Sequence, residues 1–313
     1  MSSIVARSLS KSYRNTVAVN GIDLDVKTGH VFGFLGPNGA GKSTTMKLLT
    51  TLIPPTNGTI DILGINAIKH PLEVRRRIGV VLQQPSYEPS LSVEKSLEKY
   101  GMMWNIDKKT RKEKTDELID VFGLQEIRKQ KNEDLSIGQR RRVQVAREFM
   151  HETDLLFLDE PTVGLDPSAR RSLLDFLKNK AKSGLTIFYT THVLTEAEYL
   201  CDEIAVINKG RILAVDTPDQ LKSTFGQEKT IKIHLLYRHD KLADLLSGIS
   251  DCNIDFNTGT DIIIQSGKSE LVLSKILQIL IENNIPIEDL SAMPTTLEEI
   301  FLKMVKDTNA PDN

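Results

Sequence analysis

Apolar and polar positions alternate near the amino end, over Ile4 to Leu9 and again over Ile22 to Val26, with turn-prone Arg14-Asn15 and Asn20-Gly21 between them. Such period-two runs predict strands with one buried face. Val31-Phe32-Gly33-Phe34-Leu35 is instead apolar throughout, the pattern of a strand covered on both faces. From Lys42 to Leu52 the apolar residues Met46, Leu48, Leu49 and Leu52 fall at helical spacing, and Pro54-Pro55 ends the run.

The pattern turns helical and more charged from Val93 to Met150, with helices predicted over Lys95 to Met103, Lys109 to Phe122 and Gln139 to Met150. Residues 84–150 therefore read as a helical subdomain. A strand at Leu155-Leu156-Phe157-Leu158 follows, then a helix over Ser168 to Lys180, a strand over Thr186 to Thr190 and a helix over Leu194 to Leu200. Ile204 to Asn208 and Arg211 to Val215 form a hairpin pattern about Lys209-Gly210. This alternation predicts an α/β fold, a central and largely parallel sheet between helices, preceded by an N-terminal antiparallel β region.

Thr217-Pro218-Asp219 opens a last short helix that closes a first domain at residue 222, and the polar stretch 223–229 with Gly226 reads as a linker. A small α+β domain over 230–306 follows. Its strands are expected at Ile231 to Leu236, Asn253 to Phe256, Ile262 to Gln265 and Ile285 to Leu290, with helices at Lys241 to Leu246 and Glu270 to Asn283. A final helix carries a capping-box pattern, Thr295 with Glu298, ahead of Ile300, Phe301 and Met304. The tail 307–313 is polar and expected to fray.

The 313 residues are 40% hydrophobic and 26% charged, ordinary for a globular chain of one large and one small domain. Lys plus Arg number 40 against 42 Asp plus Glu, a net charge of -2, so no overall basic field draws the chain to nucleic acid. The runs Arg75-Arg76-Arg77 and Arg140-Arg141-Arg142 read as solvated helix faces. Cys201 and Cys252 are the two cysteines; without CxxC spacing they imply buried thiols in a reducing compartment. No signal-peptide pattern opens the chain and no apolar run reaches the roughly 20 residues of a membrane helix, so any membrane span is expected on another polypeptide.

Gly36-Pro37-Asn38-Gly39-Ala40-Gly41-Lys42-Ser43, followed by Thr44, is a phosphate-binding loop lying between a predicted strand and a predicted helix. Its glycines let backbone N–H groups converge on phosphate oxygens, and the helix dipole adds to the attraction. Lys42 is placed to bridge β- and γ-phosphates and Ser43 to ligate Mg²⁺. Leu155-Leu156-Phe157-Leu158-Asp159-Glu160 brings two carboxylates to the end of a buried strand, where open α/β sheets hold their ligands. Asp159 is read as the Mg²⁺ holder and Glu160 as the group that polarises the attacking water. Leu135-Ser136-Ile137-Gly138-Gln139 offers a hydroxyl and N–H groups at a helix start to a second phosphate end.

As an ordered set, these motifs resemble those of the ATP-binding subunit of an ABC transporter over roughly the first two thirds of the chain. The resemblance implies that Ser136, Gly138 and Gln139 form the signature loop touching ATP held by an opposite subunit; Ile137 stands where that family usually has glycine. It assigns Gln83 to the loop that senses Mg²⁺ and couples to the membrane partner, with Gln84 directly next to it. It assigns His192 as the switch histidine at the γ-phosphate, Asp166 as the acid that signals across the dimer, and Tyr13 as the platform for adenine.

Val163-Gly164-Leu165-Asp166-Pro167, with a carboxyl end reading Pro294-Thr295-Thr296-Leu297-Glu298-Glu299-Ile300-Phe301, is similar to the ATPase subunits of drug and daunorubicin-resistance exporters. That resemblance implies ATP and Mg²⁺ as cofactors, a second ATPase copy and a separate permease as partners, and a place on the inner face of the cell membrane. Tyr87 to Asn105, with Met102, Met103 and Trp104, is the expected dock for the permease. A soluble ATPase acting on ribosomes or DNA is the alternative, but the paired cassettes or the coiled-coil and zinc insertions of such proteins do not occur in this sequence.

Overall fold

The computed structural model describes residues 1–84, 86–225, 229–239, 242–249, 252–257, 260–266, 269–293 and 296–307. They divide into two compact units, Met1–Thr217 and Pro218–Asn313.

In the first unit, strands β1 (Ser2–Tyr13) and β2 (Thr16–Lys27) form a hairpin longer than the alternation suggests. The buried strand β3 (Val31–Leu35) leads through the phosphate loop into helix α1 (Lys42–Leu49), which stops one turn earlier than predicted. Next come β4 (Asn57–Ile62), β5 (Ile65–Asn66), the short helix α2 (Pro71–Arg75) and β6 (Ile78–Val81). No strand was anticipated over 57–66; β4 pairs with β1 there and completes a four-stranded antiparallel sheet ordered β2-β1-β4-β5.

Helices α3 (Val93–Met103), α4 (Lys108–Val121) and α5 (Ile137–Glu148) then make the helical region. Each starts behind a side-chain cap, Ser92, Asp107 and Ser136 respectively, whose oxygen accepts backbone N–H groups that have no partner inside the helix. The α/β alternation resumes with β7 (Leu155–Asp159), α6 (Pro167–Lys182), β8 (Thr186–Thr191), α7 (Leu194–Leu200), β9 (Glu203–Asn208) and β10 (Arg211–Asp216).

The central sheet runs β10-β9-β3-β8-β7-β6, parallel except at β10. Phe157, Phe188 and Phe32 lie opposite one another on β7, β8 and β3, with neighbouring ring centroids 5.6 and 5.8 Å apart. This ladder belongs to one core that also takes Ile4, Leu9 and Ile60 from the antiparallel sheet and Met46 and Leu49 from α1. Apolar packing thereby fixes the phosphate loop and the end of β7 to the same rigid body.

The second unit opens with α8 (Pro218–Phe225), followed by β11 (Lys229–Leu235), α9 (Leu242–Leu246), β12 (Asn253–Asn257), β13 (Asp261–Ser266), α10 (Ser269–Glu282), β14 (Ile287–Met293) and α11 (Leu297–Asp307). From β11 onward the order βαββαβ, with strands arranged β12-β13-β11-β14 and all antiparallel, is a ferredoxin-like split βαβ. Ile231, Ile233, Ile264, Ile276 and Leu280 fill its core. The expected linker 223–229 is different in kind: Ser223 to Phe225 finish α8 and Lys229 opens β11, while 226–228 lie outside the described residues.

The capping box of the last helix sits one residue later than read from the pattern. Glu299 N donates to Thr296 Oγ1 at 3.2 Å and Thr296 N to the Glu299 carboxylate at 3.1 Å, whereas Thr295 lies outside the described residues. Two adjacent threonines, each followed by a glutamate at the same spacing, made the register unreadable from pattern alone. The tail beyond Asp307 is also outside the described residues.

Candidate active site

The phosphate loop connects β3 to α1 and bends tightly enough to need glycine where it approaches neighbouring backbone. Gly41 has φ of +109°, and a Cβ there would lie 2.5 Å from the Ala18 carbonyl oxygen. The hairpin of β1 and β2 therefore abuts the loop through Ala18. Tyr13, at the far end of β1, is exposed with the Lys11 ammonium 5.3 Å from its ring centre.

Lys42 is 7% exposed and donates to the carbonyls of Gly36 at 2.7 Å and Pro37 at 3.2 Å. Burial pulls its ammonium pKa down, while the charges of Glu160 and Asp159 oppose that shift. Ser43 Oγ stands 3.3 Å from Asp159 Oδ2, and Asp159 Oδ1 accepts from Thr190 Oγ1 at 2.5 Å. The strand ends of β7 and β8 thus aim one carboxylate oxygen at the loop serine and fix the other.

Glu160 follows β7 with φ of +49°, a region few side chains occupy. Its N–H donates to the Thr190 carbonyl at 3.0 Å, so the strained residue is tied to the neighbouring strand. The carboxylate is held from two sides: Gln83 Nε2 lies 3.3 Å from Oε2 and His192 Nδ1 lies 3.2 Å from Oε1. It is Gln83, not the adjacent Gln84, whose amide reaches the acid. Hydrogen bonds and an ion pair thus join Ser43 to Asp159 and Gln83 and His192 to Glu160, Thr190 bonds to both acids, and Lys42 lies within reach of the acids' charges.

The turn at Ser136 belongs to a different part of the unit. Ser136 caps α5 in a reciprocal box, with Gln139 N donating to Ser136 Oγ at 3.2 Å and Ser136 N to Gln139 Oε1 at 2.9 Å. Ser136 is exposed and Ile137 is 65% exposed. A Cβ on Gly138 would lie 2.4 Å from the Gly164 carbonyl oxygen, so the turn is seated on the loop that precedes α6. Asp166 caps α6 by accepting from Ala169 N at 2.9 Å, and this hydrogen bond holds its carboxyl below the ordinary range.

Several contributors escaped the motif reading. Thr190 clamps both acids, and its only signal was a hydroxyl on the strand beside them. Glu196 is buried and accepts from Tyr189 at 2.7 Å, Thr162 at 2.9 Å and Thr191 at 3.0 Å, joining the loop after Glu160 to the strand before His192. The run Arg75 to Arg77 is exposed as expected, but Arg140 to Arg142 is not a solvated face. Arg141 donates to the carbonyls of Leu82 and Gln83, and Arg142 to those of Phe122 and Gly123. Loop carbonyls without ladder partners draw guanidinium groups inward. Trp104 stacks on His151 at 3.8 Å, whereas Met102 and Met103 remain exposed.

A buried, lysine-bearing phosphate loop opposite two strand-end carboxylates defines a nucleoside-triphosphate hydrolase, and the separate serine-led turn narrows it to a cassette type. Residues 19–163 match the family model described as ABC transporter. Over 97% of its length the chain is 31% identical to a linearmycin resistance ATP-binding protein of Bacillus subtilis, covering 98% of that protein. Over 96% it is 36% identical to a daunorubicin/doxorubicin resistance ATP-binding protein of Streptomyces peucetius, covering 92% of it. A solved ATP-binding subunit of an ABC transporter superposes with a TM-score of 0.66 at 29% identity, over 71% of this chain and 93% of that one. The chain belongs to the ABC transporter family as an ATP-binding, ATP-hydrolysing subunit of the drug-exporter type.

Proposed function

We propose that two copies of this chain close head to tail on two ATP molecules and so drive a separate membrane permease. The observation that carries the reading is the pair of half-sites: a complete hydrolytic cluster around Glu160, and a preformed but exposed Ser136 turn whose described polar contacts stay within its own cap. Gly36, Pro37, Asn38, Gly39, Ala40, Gly41, Lys42, Ser43 and Thr44 of one copy cradle the phosphates. Ser136, Gly138 and Gln139 of the other complete the γ-phosphate pocket, Asp166 faces the opposite copy and Tyr13 stacks on adenine.

Ser43 Oγ and the Asp159 carboxylate are hard oxygen donors that fit Mg²⁺, and the oxygen of the Gln83 amide, whose nitrogen reaches Glu160, would be a third. The ion would neutralise charge developing on the β- and γ-phosphate oxygens. Glu160 accepts a proton from the water that attacks γ-phosphorus, the bond to the β–γ bridging oxygen breaks, and ADP and phosphate form. His192 keeps the Glu160 carboxylate aimed; Lys42 stabilises the charge on the transferred group. Loss of the shared γ-phosphate removes what holds the copies together, and the dimer reopens.

A groove of about 250 Å³ lined by Leu52, Leu82, Tyr100, Trp104 and Arg147 is the dock for the permease's cytoplasmic helix. It sits beside Gln83, so a nucleotide-dependent shift reaches the partner directly. Among the described residues no helix is long and apolar enough to cross a membrane. Attachment through that permease would hold the chain at the cytoplasmic face. The resistance named in both relatives supports export of a drug, lipid or other small hydrophobic compound.

Trans-complementation tests the shared pocket. Lys42→Met and Ser136→Arg chains, each inactive alone, regain ATP hydrolysis when mixed, because randomly paired dimers restore about a quarter of the composite pockets. If the turn served its own chain's nucleotide, every pocket in the mixture would be defective and no activity would return.

A further inference from the structure

Leu82, Gln83, Ser86 and Tyr87, which follow β6, are tied to α5 by three arginines. Arg140 donates to the Tyr87 hydroxyl at 2.7 Å, and Arg147 to the Ser86 carbonyl at 2.9 Å and the Ser86 hydroxyl at 3.0 Å. Arg141 forks onto main chain, donating from Nη1 to the Leu82 carbonyl at 2.7 Å and from Nη2 to the Gln83 carbonyl at 3.0 Å. It is the deepest of the three, with 5% of its surface exposed.

A buried guanidinium is costly unless its donors find acceptors, and here two backbone oxygens and the Gln144 amide oxygen, at 3.4 Å, accept in place of a contacting carboxylate. Burial lowers its pKa, and the charges of Asp159 and Glu160, farther away, oppose that shift. Two parallel donors on consecutive carbonyls fix the main chain that carries Gln83 in both position and orientation. Ser136 is the N-cap of the same helix, five residues or about 7.5 Å along the axis from Arg141. A helix transmits such a displacement with little loss over so short a length.

We propose that Arg141 is a positioning residue that couples the Gln83 loop to the Ser136 turn, so that engagement of Gln83 at one ATP sets the turn presented to the other ATP. In a head-to-tail pair, Gln83 of a chain belongs to one pocket and Ser136 of the same chain to the second. Arg141 is then the link that makes binding of two ATP molecules cooperative. This inference rests on the dimer reading above. Its distinct content is that cooperativity, rather than nucleotide binding by a single copy, depends on a side chain that touches no ATP.

The test uses the full chain with its co-expressed permease and compares Arg141→Lys and Arg141→Met with wild type. Binding of ATP to the isolated subunit is expected to stay within about twofold, because no phosphate contact is lost, while kcat falls about tenfold in Arg141→Met. The Hill coefficient for ATP hydrolysis falls to about 1 in Arg141→Met, and Arg141→Lys, which keeps charge but loses the fork, lies between. A merely structural role would lower thermal stability and kcat together with the Hill coefficient unchanged, and that result overturns the proposal. So does a wild-type Hill coefficient of 1. If the Lys42 and Ser136 variants complement each other but Arg141→Lys and Arg141→Met keep full cooperativity, this inference fails alone; if complementation fails, the dimer reading fails first.

Discussion

The phosphate-loop half and the Ser136 half of the site are built on opposite plans. In the first, Lys42 and Glu160 are 7% and 8% exposed and the acid is gripped by Gln83 and His192 of the same chain. In the second, Ser136 is exposed and its cap is closed on Gln139. One half is preorganised for chemistry, with its dipoles and charges fixed by packing. The other is preorganised for recognition, since a capped helix start presents a fixed hydroxyl and N–H groups at no further ordering cost. Variants in the first should therefore change bond breaking or single-copy binding, and variants in the second should change only assembly.

Glu160→Gln should give the largest effect. Removing the proton acceptor lowers kcat by about 10² to 10⁴-fold, while the amide preserves shape and ATP binding. Steady-state turnover beside equilibrium ATP binding checks the split; hydrolysis at the wild-type rate would remove Glu160 from its role. Lys42→Met comes next. Loss of charge-assisted bonds to phosphate weakens ATP binding to the isolated subunit by about 10 to 100-fold, read by titration with labelled ATP. The contrast between halves breaks if Lys42→Met leaves single-copy binding intact.

The difference in plan also decides what was legible in the chain. Gly36 to Ser43 and Asp159-Glu160 follow from local spacing, because a phosphate loop and a strand end need particular residue types at fixed offsets. Thr190 reaches Asp159 and Glu160, and Glu196 reaches Thr162, across some thirty residues of sequence, and no local spacing marks those contacts. Arg141 was misread for a related cause: helical periodicity places it on a face, but the partners are loop carbonyls, which have no sequence signature. In the fold, the alternating runs revealed the central sheet, whereas β4 stayed hidden because its place is set by pairing with β1 and by packing of its Ile60 and Ile62 with Ile4 and Leu9. The second unit's strands were legible individually; their order was not, since strand order is a property of crossovers.

Gly138→Ala sharpens the comparison from the other side. The added methyl meets the Gly164 carbonyl at 2.4 Å, and backbone cannot yield as a flexible side chain would. A cost of about 1 to 3 kcal/mol to the turn is expected, seen as loss of ATP-driven dimerisation by light scattering in the Glu160→Gln background. Single-copy ATP binding should remain within about twofold. Ser136→Ala removes only the cap hydroxyl, at about 1 kcal/mol of helix stability, and a smaller loss of dimer is expected in the same assay.

Asp166→Asn is the finest of these probes, because asparagine caps a helix nearly as well as aspartate and only the charge is lost. The Asp166 carboxyl is held below its ordinary value of 3.8 by the Ala169 N–H. A depressed acid contributes its stabilisation in full above the unfolded pKa and loses it as pH falls through the folded one. Wild type should therefore lose stability below about pH 4 in a step that Asp166→Asn lacks, and the two Tm profiles should run parallel above that window. Parallel profiles throughout would mean that the cap acts by shape alone. In that case the acid's charge is free for the opposing copy, and only the dimerisation assay would then separate Asp166→Asn from wild type.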